Sequence, residues 1–132
     1  MPRHIITVSP NTMPDDADLC FAFKCPADAL GGGLTVVEAV ASTGAAGTLD
    51  LLLVNYGTSG TVVGGTIARH ASGTATVWAA DTPKALTITA AQAYVDAGEY
   101  VYLKKLEPAG SNDLTADAMV QITLVDGIVE QG

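Results

Sequence analysis

Two histidines, two cysteines, fourteen carboxylates and six basic residues are the whole inventory from which this 132-residue chain could assemble reactive chemistry. A transition-metal site on facing strands needs several imidazoles plus a carboxylate, and His4 and His70 are the only histidines available. A Ser-His-Asp triad would draw on the same two rings, and no G-x-S-x-G frame presents a serine as a nucleophile. Gly57-Thr58-Ser59-Gly60 has the spacing of a hairpin loop and lacks the lysine and helix of a phosphate cradle; the glycines at 31–33 read as a hinge. Asp15, Asp16 and Asp18 could hold calcium by charge alone, but the glycine turn and terminal glutamate of an EF-hand loop are missing, so the segment reads as a solvated acidic turn. The inventory predicts no enzyme, no metal and no cofactor.

Cys20 and Cys25 lie five residues apart in one strand-like run. An odd offset directs them to opposite faces, which predicts two reduced thiols acting as small hydrophobes rather than a bridge. Tyr100 and Tyr102 share a face and, with Trp78, could form either a stacking platform for a sugar or part of a packed core or subunit contact. The net charge of −8 is spread over a chain whose bases (Arg3, Lys24, Arg69, Lys84, Lys104, Lys105) form no stripe, which argues against nucleic acid and against an anionic membrane surface. No apolar run reaches the roughly 18 residues of a transmembrane helix. The N-terminal MPRHIITVSP turns polar after Val8, unlike a signal peptide, so synthesis in a cytoplasm is expected.

The elements that would carry these side chains are short runs of alternating polarity, punctuated by Gly, Pro, Asn and Asp. In DLCFAFKC the alternation places Leu19, Phe21, Phe23 and Cys25 on one face. In AMVQITLVDG it places Val120, Ile122 and Leu124 inward and Thr123 on an opposite, solvated face. Val101 and Leu103 share a face of the preceding run. The stretch TLDLLLVNYG is apolar on both faces from Leu51 to Val54, which suits a strand covered by the opposite sheet on one side and a neighbouring subunit on the other. Thr89-Ala90-Ala91-Gln92 matches a capping box, predicting one short helix over residues 90–97 closed by Gly98. About eight or nine strands and this helix make an all-β antiparallel sandwich or barrel. Residues 1–17 form an N-terminal strand or arm with its turn, and residues 18–132 form the single sandwich domain.

Only 15% of residues are charged and 48% are hydrophobic, with mean hydropathy +0.34. That surface is too apolar for an ordinary small monomer and implies contacts with other subunits. Leu52, Val54, Trp78, Tyr100 and Tyr102 are the candidate subunit or shell contacts.

From Ala97-Gly98-Glu99-Tyr100-Val101-Tyr102-Leu103, through Leu114-Thr115-Ala116-Asp117-Ala118, to Val120-Gln121-Ile122-Thr123-Leu124-Val125-Asp126-Gly127, the chain resembles the small capsid-decoration (cement) proteins of tailed bacteriophages. The likeness covers roughly residues 66–127, and the two cysteines depart from it. It implies a jelly-roll or related sandwich that trimerises on the capsid exterior and locks the major capsid protein in place, with no catalytic residues to carry over. The competing expectation is a non-catalytic carbohydrate- or receptor-binding jelly roll of the fibre-tip type, using Trp78 and the tyrosines.

Overall fold

A computed structural model describes residues 3–9, 19–42, 47–58, 65–69, 76–78, 82–106 and 118–127. They carry strands Arg3–Val8 (β1), Leu19–Lys24 (β2), Gly33–Ser42 (β3), Gly47–Asn55 (β4), Gly65–Arg69 (β5), Thr76–Trp78 (β6), Lys84–Ala85 (β7), Thr87–Ile88 (β8), Tyr94–Asp96 (β9), Tyr100–Leu106 (β10) and Met119–Asp126 (β11). Pairing is antiparallel throughout and nested: β1 with β11, β2 with β10, β3 with β9, β4 with β5. Such nesting is one long ribbon folded back on itself and rolled. Rolling deals alternate strands to two sheets, β1-β11-β3 with β7 and β9 sharing the far edge, and β2-β10-β4-β5-β8 with β6 also on β4. The result is the jelly-roll form of the expected all-β sandwich.

The alternating runs meet between the sheets. Val36, Ala39, Val120, Ile122 and Leu124 of the first sheet pack toward Leu51, Leu53, Ile67, Val101 and Leu103 of the second, all nearly inaccessible to solvent. β10 and β11 therefore do not pair; their connection crosses from one sheet to the other. Among the core-directed side chains Lys105 is fully buried, and it is engaged in an interaction within the fold. At Gly33 two strands approach closely enough that a Cβ would collide with the Val95 carbonyl oxygen and the Tyr94 ring.

Three bulges break strict alternation. Register passes from Val101↔Phe23 to Tyr102↔Phe21, leaving Ala22 extra in β2. It passes from Thr123↔Glu38 to Leu124↔Val36, leaving Val37 extra in β3. Ile67 is the extra residue of β5, so Ile67 and Ala68 are buried side by side.

Several sequence expectations change as a result. The Ala22 bulge splits the supposed single face of β2: Leu19 and Phe21 are exposed, whereas Phe23 and Cys25 enter the core. The same bulge turns both cysteines coreward, Cys25 fully buried and Cys20 packed against the core, so the opposite-face assignment does not hold; neither forms a disulfide. Thr123 is 7% exposed rather than solvated, because β11 is a central strand and Thr123 is flanked in register by Ile5 and Glu38. The helix expected over 90–97 is a single 3₁₀ turn, Ala90–Gln92, and Thr89 makes no side-chain cap. What replaces it is β9, which supplies a partner for Gly33–Thr35 at the edge of β3, and Val36 N–H bonds the Ala93 carbonyl at 2.9 Å. An exposed strand edge outweighs local helix propensity here. Of the two readings of the run at 4–9, strand or arm, the strand is the one seen: as β1 it is hydrogen-bonded into the first sheet from Arg3 onward.

Candidate functional site

The outward face of the second sheet is built by four strands in register. Phe21 of β2 lies opposite Tyr102 of β10, Tyr102 opposite Val54 of β4, and Val54 opposite Thr66 of β5. One row away, Leu19, Lys104, Leu52 and Arg69 form a parallel line. The rings interlock: Phe21 and Tyr102 have centroids 5.6 Å apart at 74°, Tyr56 and Tyr102 are 5.1 Å apart at 69°, and Phe21 and Tyr100 are 6.2 Å apart. The first two are edge-to-face contacts, favoured because a positive ring edge meets a negative ring face, and the third is tilted at 57°. Lys24 places its ammonium 5.4 Å from the Tyr100 ring centre.

A polar network centred on the buried Asn55 fixes this geometry from behind. Asn55, 2% exposed, donates through Nδ2 to Glu99 Oε1 at 3.0 Å and accepts the Gly57 N–H at 2.8 Å. Glu99 Oε1 also accepts the Asp96 N–H at 2.8 Å. Gly57 adopts φ +66°, open to a residue without Cβ, and closes the turn after Tyr56; backbone bonds Tyr56 N–H to Tyr100 O and Tyr100 N–H to Gly57 O then lock the two tyrosines together.

Solvent exposure is uneven across the face. Leu52 and Val54 are 4% and 6% exposed, already covered within the single chain, so a neighbouring subunit is not needed to bury them. The accessible apolar surface is Phe21 at 50% and Leu19 at 44%, with Tyr56, Tyr100 and Tyr102 half-buried behind them. Of the five candidate contacts, Tyr100 and Tyr102 stand at the patch and Leu52 and Val54 form its floor. Trp78 is not near it: its register partner is Gly47, seven residues along β4 from the Val54 that pairs with Tyr102, roughly 23 Å at strand rise. The strand register thus sets the Trp78 backbone well apart from those of Tyr100 and Tyr102. The sequence-derived set lacks Phe21 and Leu19 because the Ala22 bulge, which turns Phe21 outward, has no marker such as Gly or Pro; it also lacks Tyr56, which sits just past the end of β4.

The residues considered for catalysis stay apart. His4 Nε2 donates to Asp126 Oδ1 at 2.9 Å at the end of the sandwich, half-exposed and with no nucleophile named by the sequence beside it. His70 and the cluster Asp15, Asp16 and Asp18 lie outside the described residues. Among the described residues, no three of His, Cys, Asp and Glu converge as metal ligands. Burial pushes the Cys25 thiol above its ordinary range, the nearby Glu99 and Asp96 adding to it and backbone hydrogen bonds opposing it; such a thiol is a poor nucleophile.

No family model matches the chain, and no curated protein matches it. Among solved structures it is similar to one described as "Structure of infectious bursal disease virus Gx strain", at 12% identity and a TM-score of 0.42. The match covers 98% of this chain and 33% of that one, so the chain spans about a third of the other's length. Numbers of this size do not support transfer of a role.

Proposed function

We propose that this protein is a non-catalytic virion structural module, a head decoration protein that docks on the outer surface of a capsid as a homotrimer. The observation that carries the reading is the aromatic patch of Leu19, Phe21, Tyr56, Tyr100 and Tyr102 on the outward face of the second sheet. A half-exposed phenylalanine forgoes on the order of 1 kcal/mol of burial, and it sits on a rigid sheet rather than a loop. Aromatic anchors on a rigid surface, ringed by half-buried neighbours, are the composition of a protein–protein hot spot. Burying them against two capsid subunits at once would stabilise the assembled shell over its separated subunits by mass action. The low charge and the abundance of small residues favour close contact over most of the remaining surface.

The alternative, a sugar-binding module, is less favoured by the ring geometry. Sugar stacking needs an open ring face, and the interplanar angles of 69° and 74° spend ring faces on neighbouring edges.

The test is co-sedimentation with capsid shells, with light scattering for the oligomer. The unmodified protein is expected to trimerise and bind, while Phe21→Ser combined with Tyr102→Ser loses shell binding and keeps its melting transition. A strict monomer that ignores shells, or a hit on a glycan array abolished by the same double change, overturns the reading.

A further inference from the structure

Among the described strands, β1 and β2 are the outer edges of the two sheets on the same side of the sandwich, and there the sheets part. The gap is a cavity of about 400 Å³ reaching inward between them. Its walls are inner-face side chains of both sheets, Ile6 from β1, Leu34 from β3 and Phe23 from β2. Inward positions follow the order Val8, Ile6, His4 along β1 and Leu124, Asp126 along β11, so both rows turn from apolar to polar at the mouth. Volume and lining match a small-molecule site: apolar walls, a few polar groups at one end.

The charges at the mouth decide the ligand. Asp126 accepts from His4 with one carboxylate oxygen, and Asp28 stands exposed at the opposite lip. Lys24 also borders the opening, but its ammonium is placed over the Tyr100 ring on the outer side of the sheet. What faces a ligand head is therefore Asp28 together with the His4–Asp126 pair, an acidic balance on a protein of net charge −8 whose field attracts cations.

We propose that this cavity binds a small amphiphile with an apolar body and a protonated amine, its body between Ile6, Phe23 and Leu34 and its head at Asp28 and Asp126. The site is separate from the aromatic patch and does not depend on shell docking.

Octylammonium, octanol and octanoate share one chain and differ in head charge, so they are the probes, titrated into the full-length protein by calorimetry and by methyl NMR. Octylammonium should bind with shifts centred on Ile6 and Leu34, and octanoate at least tenfold more weakly. Asp28→Asn should weaken octylammonium about tenfold and leave octanol unchanged, a control showing that the cavity survives. Octanoate binding as tightly as octylammonium, equal loss of both ligands in Asp28→Asn, or octylammonium shifts away from Ile6 and Leu34 would each overturn the proposal.

Discussion

Phe21 and Ile122 are both large, apolar strand residues, and their expected contributions are opposite. Ile122 has no solvent exposure and sits in the middle of the core, so Ile122→Ala should cost about 2–5 kcal/mol in chemical denaturation through lost burial and the cavity left behind. Phe21 is half-exposed, and Phe21→Ser should cost under about 1 kcal/mol while impairing docking. The inward role of Val120, Ile122 and Leu124 was legible from alternation alone; the outward role of Phe21 was not, since the residue that turns it is an alanine with no turn preference. Titration at single residues gives a second measurable outcome. Burial raises the Cys25 thiol above the ordinary thiol range, and burial with the neighbouring Asp96 charge raises Tyr94 above the ordinary phenol range. Both groups stay protonated longer folded than unfolded, so their contribution is complete below about pH 9 and is lost as pH rises through the folded values. Melting temperature should therefore fall above pH 9, and Cys25→Ala should make the first part of that fall shallower. An unchanged profile in Cys25→Ala would place the ionisation elsewhere.

Among the elements, β11 shows how position in a sheet overrides pattern. Its alternation reads as one wet and one dry face, yet it is hydrogen-bonded on both sides and Thr123 is covered in register by Ile5 and Glu38. Thr123→Lys is accordingly expected to cost about 1–3 kcal/mol by overpacking, and Thr123→Val well under that; an equal, negligible effect of both would return Thr123 to a solvated face. The stretch at 90–97 makes the same point from the other direction. Its capping-box spelling is genuine, but β3 presents an open edge at Gly33–Thr35, and Tyr94–Asp96 satisfies more backbone groups there than one further helical turn would. Local spelling could announce strands and turns; it could not say which strand would be left needing a partner.

On the scale of the whole molecule, the all-β sandwich was readable from the rhythm of short runs, while the nested order of pairing was not, because no local signal states that β1 belongs beside β11. That order makes the last described strand the centre of the first sheet, between β1 and β3. A chain ending before Met119 should therefore lose its cooperative thermal transition altogether; retention of a sharp transition by circular dichroism would show that the second sheet folds alone. The nesting also has a temporal side. A ribosome delivers Arg3–Val8 long before Met119–Asp126, so β1 emerges with its partner still unmade, and the first sheet lacks its middle until the far strand arrives. Folding is then held back until synthesis has nearly passed the sandwich, and its rate is set by closing the longest loops rather than by local structure. During that wait Ile5, 63% exposed even in the finished fold, belongs to an open, sticky strand, which makes a holding chaperone the condition under which soluble protein accumulates.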